Sequence, residues 1–450
     1  MITRRHRATA LLVAACFFME QLDGTIISAA SPVLGPALGV SPASVGLLVA
    51  VYLLALVVLI PLSGWLGTRW GTRKAFVTAI AVFTAASLGC AVSTAFGQLI
   101  VLRVVQGAAG AMMVPVGLLI VLGTAEKPDI PRLLSYVVWP GLTAPVLAPV
   151  LGGAIATYWS WRWIFLVNVP VGLVAVLLAW RLIAPAPGRG TVPPLDLIGA
   201  VLTATGLGAL VTAGHLIGHG WVLPAVVAAA GVAMLVAAVR HLLRSPHPLV
   251  ELRTLRTRTF RVAVLGSLLF GAAVASVPFL LPLVFGAEFG WSPARAGAVV
   301  LFVFAGNIAI KPTTTRLINH VAFRWLIGGS AVCLTATVVF FALITPATPL
   351  PVIMAIAFVS GCARSVGLTA YSTLAFADAP PAQMQHCNTV LAMAQQMSGV
   401  LGISVSAATF ELGSSVAFGV MAAAGMGAAL HAVRLDQAAG RAVRTPAPAG

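Results

Sequence analysis

Apolar residues run along this chain in blocks of about 20, separated by short polar connections. A helix rises about 1.5 Å per residue, so a block of that length crosses the roughly 30 Å of bilayer hydrocarbon. Fourteen such blocks stand out: 8–31, 45–66, 75–94, 98–123, 133–157, 162–183, 196–217, 220–243, 260–286, 293–313, 323–345, 350–376, 384–410 and 412–434. Each is a continuous apolar run, not the alternating segment of about 10 residues that a transmembrane β-barrel would show. The connections, such as APAPGRGTVPP (184–194) and RSPHPLVELRTLRTR (244–258), are rich in Pro, Gly and Arg, the residues that end helices. The expected fold is an all-α membrane protein with 14 transmembrane helices.

Composition supports that reading. The chain is 60% hydrophobic and only 8% charged, against roughly 25% charged residues in a soluble domain. Its net charge of +16 raises the possibility of nucleic acid binding, but the placement of the charges argues otherwise. Of the 26 Lys and Arg, 22 fall at one alternating set of helix ends; Arg162 and Arg295 lie at the opposite set, and Arg103 and Arg364 lie inside spans. That asymmetry puts both termini in the cytoplasm and the basic loops against an anionic inner leaflet, so no nucleic acid partner is expected. No cleavage site follows the first apolar run, which reads as a retained helix. The five cysteines are far apart, form no CxxC and read as small buried hydrophobes.

Two basic turns, GTRWGTRK (67–74) and TRLINHVAFR (315–324), occupy like positions if spans seven and eight are set aside. The chain then divides into an N-terminal six-helix bundle (1–184), two inserted helices with linkers (185–258), and a C-terminal six-helix bundle with a short tail (259–450). Related halves of this kind form a transporter layout, with the substrate path between them near the bilayer midplane.

Charges inside the spans carry the candidate chemistry. FFMEQLDGTIIS (17–28) holds Glu20 and Asp23, three residues apart and so able to share a helix face. Arg103 in span four is costly to insert, by at least about 2.5–3.5 kcal/mol, and requires a partner. Burial and a nearby arginine act in opposite senses on a carboxylate's proton affinity, which is the competition a switchable proton site needs. The bland alternatives are a structural Asp23–Arg103 salt bridge and a Glu20 that sits idle near a water vestibule. The small residues Gly107 to Ala111 suit close helix contact. Glu20, as a direct contact for a cationic substrate, and Met112, Met113, Arg364, Gln395 and Gln396 are candidates to line a substrate cavity, with plain helix packing as the competing reading for the methionines and glutamines. His215 and His219 are spaced for metal chelation but lack a third ligand, so no metal is expected. The chain contains no GxxxxGK[ST], HExxH or GxSxG, which leaves ATP drive and enzyme chemistry without a basis.

Several stretches resemble the major facilitator superfamily, and within it the fourteen-spanner drug/proton antiporters of the EmrB/QacA type, MdtD-like branch. They are LDGTIISAASP (22–32), GWLGTRWGTRK (64–74), LIVLRVVQGAAGAMMVPVG (99–117), GLTAPVLAPVLGG (141–153) and WSWRWIFLVNVPVG (159–172). The resemblance implies a major facilitator fold, with Asp23 and Arg103 in proton coupling; Glu20 joins them on its own chemistry, as a second carboxylate three residues from Asp23. It implies conformational roles for Gly64, Thr68, Arg69, Gly71, Arg73 and Lys74 in the basic turn and for Pro149, Gly152 and Gly153 in span five. Four departures stand out. Thr68 replaces an acid of the basic-turn motif, Ala144 and Ala148 replace glycines in span five, span thirteen carries no acid, and Glu20 stands where the family has a neutral residue.

The expected function is proton-coupled export of small lipophilic or cationic compounds by alternating access, with Asp23 as the coupling carboxylate and Glu20 sharing its proton. The expected energy source is the proton gradient, with no cofactor. The expected partners are a small-molecule substrate, protons and the lipid bilayer, with the chain acting as a monomer in the inner membrane. Two alternatives stay open: a dedicated exporter of one metabolite, which a competition panel would separate, and a non-transporting scaffold or sensor, which a flux assay would exclude.

Overall fold

The computed structural model describes residues 4–123, 130–184, 194–216, 222–246, 248–378 and 383–436. They form helices α1 (Arg4–Ala37), α2 (Gly46–Trp70), α3 (Thr72–Val92), α4 (Phe96–Gly123), α5 (Ile130–Tyr158), α6 (Trp163–Leu166), α7 (Asn168–Leu182), α8 (Leu197–His215) and α9 (Val222–Arg244). The remainder form α10 (Arg258–Ala287), α11 (Pro293–Ala309), α12 (Lys311–His320), α13 (Phe323–Ala342), α14 (Leu350–Ala377), α15 (Met384–Phe410) and α16 (Ser414–Ala432). Thirteen described segments are long and apolar enough to cross a membrane. Helix α5, 29 residues long, adds the apolar stretch Thr143–Tyr158. The short α6 continues into α7, and α11 into α12, each pair making one crossing.

The helices pair in a repeated pattern. Helix α1 packs on α5, α2 on α4, α3 on α4 and α7; correspondingly α10 packs on α15, α11 on α14, and α13 on α14 and α16. Shared contacts between α5 and α11 and between α2 and α15 join the two sets. Helices α8 and α9 pair with each other at the periphery, where α8 leans on α2 and α15. Only 17% of α9's apolar window is buried, against 78% of α10's, so α9 turns most of its surface to lipid while α10 forms part of the core.

Asp196 fixes the start of α8. Its carboxylate caps the helix by accepting from the Gly199 N–H at 2.8 Å, and it meets His241 Nε2 at 2.7 Å and the Leu249 N–H at 3.1 Å. Burial pushes this carboxyl up, but the Gly199, His241 and Leu249 contacts together outweigh it and hold the group below its ordinary value.

Named contacts between the two helix sets gather at one end of the molecule. Ser41 donates to Glu411, and the Ala294 N–H donates to Thr157 Oγ1 at 3.0 Å. At the same end Gly153 lies against the Pro293 backbone and Gly297 against that of Pro149, so closely that neither position has room for a Cβ. The basic residues gather at the opposite end, where Arg5 Nε donates to the Leu182 carbonyl at 3.0 Å and Arg73 Nη2 to that of Trp180 at 2.6 Å. There Gly71 turns the chain from α2 into α3 at φ +83°, a conformation that favours glycine.

Candidate functional site: a charged cavity between two helix sets

A cavity of about 210 Å³ lies between the two halves. Glu20, Gly24 and Tyr52 line it from the first half, and Phe304, Arg364 and Gln396 from the second. Glu20 is only 6% exposed, and its Oε2 has no hydrogen-bond partner. The Arg364 guanidinium lies 4.9 Å from the Phe304 ring centroid, and its Nε and Nη1 are likewise buried and unpartnered. Prolines 145, 149 and 278 complete much of the apolar wall.

Asp23 lies behind this wall. It is 1% exposed and Arg103 0%. Arg103 Nη1 donates to Asp23 Oδ2, while Asp23 Oδ1 accepts from Asn168 Nδ2 at 2.7 Å and from Gln106 Nε2 at 3.3 Å. Gln106 also donates to Ser87 at 2.7 Å and accepts from Arg103 at 3.0 Å. Arg103 Nε donates to the Leu48 carbonyl at 3.2 Å, and its guanidinium lies 4.1 Å from the Tyr52 ring centroid. Tyr52 divides the two carboxylates: it stacks on Arg103, lines the cavity, and donates its hydroxyl to the Glu20 carbonyl at 3.2 Å. Gly24 makes space for that ring, since a Cβ there would approach Tyr52 Cε1 to 3.2 Å.

The two carboxylates expected on one helix face have different surroundings. Glu20 turns to the cavity, while donors on α4 and α7 draw Asp23 into the first half. The methionines of span four are placed elsewhere too: Met113 is fully buried in the apolar core of the first half and Met112 packs against that core. Gln395 donates to Ser372 at 3.1 Å and is absent from the cavity wall, whereas its neighbour Gln396 lines it. The small-residue stretch of α4 does allow close approach, with Gly107 set against the Tyr52 backbone. Pro149 both lines the cavity and meets Gly297; Gly152 rests on Ile26 of α1 and Gly153 on Pro293.

In the basic turn Arg69 lies over Trp65 at 5.1 Å, Arg73 over Trp180 at 4.6 Å, and Lys74 is exposed. The surroundings of Gly64, the side chains of Thr68 and His215, and the whole of His219 fall outside the described set. Sequence reasoning passed over Tyr52, Gln106 and Asn168. Their signal was a polar side chain inside an otherwise apolar run, two of them amides close to an in-span arginine or a proline.

A helical membrane assembly with a buried carboxyl and a buried guanidinium facing one cavity between two like-paired halves defines a class: an integral membrane transporter. Residues 13–403 match the Major Facilitator Superfamily. Two relatives are named "Putative multidrug resistance protein MdtD". The one from Serratia proteamaculans (strain 568) is 34% identical over 400 residues, covering 88% of this chain and 83% of the relative. The one from Escherichia coli O81 (strain ED1a) is 32% identical over 401 residues, covering 88% and 84%. Among solved structures, a D-xylose-proton symporter superposes with a TM-score of 0.68 at 14% identity, covering 97% of this chain and 99% of that one. The POT family transporter PepTSo superposes with a TM-score of 0.67 at 13% identity, covering 96% and 97%. The chain belongs to the major facilitator superfamily, and it is a transporter rather than an enzyme.

Proposed function

We propose that the protein is a proton-coupled exporter of small lipophilic compounds that works by alternating access in the inner membrane. The basic end of the molecule faces the cytoplasm, both termini lie on that side, and the sealed end faces outward. The conformation described is then closed to the outside and faces inward. The chain works as a monomer, and the proton gradient supplies the energy without a cofactor.

The observation that carries this reading is the unpartnered Glu20 carboxylate in the cavity. A buried carboxylate with a free oxygen can hold a proton or a substrate donor, but not both at one oxygen. Proton entry from outside releases the substrate, and proton loss to the cytoplasm restores the site. Asp23 is less suited to that exchange, because both its oxygens already accept bonds and Tyr52 stands between it and the cavity. The Asp23–Arg103 pair instead positions Tyr52, and through it the backbone at Glu20. The relatives' multidrug-resistance name supports the substrate class.

The test is substrate-driven proton flux in reconstituted vesicles holding an imposed pH gradient. Addition of transported lipophilic compounds dissipates the gradient in protein-containing vesicles and not in empty ones. A gradient indifferent to every compound in a chemically broad panel would overturn the coupling.

A further inference from the structure

The cavity faces its ligand with one carboxylate and one guanidinium, contributed by opposite halves, and neither is satisfied by the protein. Glu20 Oε2 projects no bond to any neighbour, and Arg364 Nε and Nη1 have none either. Lys311, another cation of the second half, donates to Thr369 at 3.2 Å and is not part of the wall. The rest of the lining is largely proline and apolar side chain, with Phe304 beside the guanidinium and the Gln396 amide close by.

We propose that the preferred ligand is amphoteric: a small apolar or aryl body carrying a cationic nitrogen for Glu20 and an anionic group for Arg364. This rests on the reading of the cavity as the substrate site. Any ligand that fills the space displaces the water that hydrates both groups, and a buried charge stripped of water needs a partner. A lipophilic monocation satisfies Glu20 and leaves Arg364 dehydrated and unpaired. A monoanion does the reverse. A zwitterion meets both with charge-assisted hydrogen bonds and keeps the filled cavity neutral. At about 210 Å³ the space is below the roughly 300–1,000 Å³ of drug-sized pockets, which favours a compact ligand. Because Glu20 and Arg364 reach the cavity from different halves, a ligand that spans them also ties the halves together.

The experiment measures equilibrium binding to the full chain in lipid nanodiscs, without a proton gradient. The probes share one benzene ring with an aminomethyl group at one end and a carboxylate at the other, made with zero, one or two methylenes before the carboxylate. Each is compared with its methyl ester, a monocation, and its N-acetyl derivative, a monoanion. The best zwitterion binds about tenfold or more tightly than either derivative, the scale of one charge-assisted hydrogen bond. Arg364→Gln shifts the preference to the methyl ester, and Glu20→Gln shifts it to the N-acetyl compound. Glu20→Gln is isosteric and Arg364→Gln shortens the side chain; both remove the charge, and unchanged elution and melting profiles certify the fold. A methyl ester that binds wild type as tightly as the best zwitterion overturns the proposal, as does a preference that neither substitution moves. Proton flux is read separately in vesicles. Loss of the charge preference with intact flux sinks this inference alone, and intact preference without flux sinks only the coupling.

Discussion

Asp23→Asn isolates the buried ion pair. Asn keeps an oxygen that can accept from Asn168 and Gln106, so the bonds at 2.7 and 3.3 Å survive. Its amide nitrogen then faces Arg103 Nη1 in place of Oδ2, donor against donor. Arg103, 0% exposed and already without a partner at Nη2, loses its only described counter-ion. Breaking one side of a buried pair costs about 3–5 kcal/mol. Arg103→Met costs a similar amount, because it strands Asp23 and gives up the Leu48 bond and the Tyr52 stack. The double variant removes both charges and leaves neither stranded, so the two costs fall short of additive by about 2–4 kcal/mol. The assay is SDS-titration unfolding of the purified protein in mixed micelles for the wild type, both singles and the double. Additivity within about 0.5 kcal/mol would refute the view that Asp23 and Arg103 act as one desolvated pair.

Other outcomes follow from other parts of the fold. Tyr52→Ala opens a path between the cavity and Asp23 and gives a substrate-independent proton leak in vesicles, whereas Tyr52→Phe keeps the stack and loses only about 0.5–1.5 kcal/mol of stability; a tight Tyr52→Ala would remove Tyr52 as a barrier. Gly153→Val places a Cβ 2.9 Å from the Pro293 carbonyl carbon, which cannot yield, so spin labels at positions 41 and 411 move apart; an unchanged distance distribution would contradict the sealed-end geometry. Asp196→Ala removes the α8 cap and costs about 0.5–2 kcal/mol. Since Asp196 is held below its ordinary 3.8, its contribution is complete above that value and is lost as pH falls through the lower folded value; unfolding curves of wild type and variant converge there, and curves that stay parallel through acid would refute the capping role.

The spans were legible because lipid imposes one length on every crossing and accepts almost no charge. Arg103 announced a partner for the same reason, and Asp23 was the acid at hand. Side-chain direction was less legible. Residues three apart on a helix are neighbours, yet Glu20 and Asp23 part because donors on α4 and α7 compete for one of them while Tyr52 fills the space between. No periodicity along α1 encodes those donors; they arrive from positions 106 and 168, far along the chain. Methionine is equally at home in a core or a cavity wall, so Met112 and Met113 carried no directional information, and packing in the first half placed them away from the cavity.

The most direct test of the account separates substrate movement from proton movement in Glu20→Gln. In reconstituted vesicles, with a lipophilic substrate that carries an uncharged hydrogen-bond donor, exchange of labelled for unlabelled compound continues near the wild-type rate, because the Gln amide oxygen still accepts that donor and the alternating motion remains. Transport driven by a pH gradient is lost, and substrate binding no longer varies with pH. Full gradient-driven export by Glu20→Gln would contradict the assignment of Glu20 as the site where proton and substrate exchange.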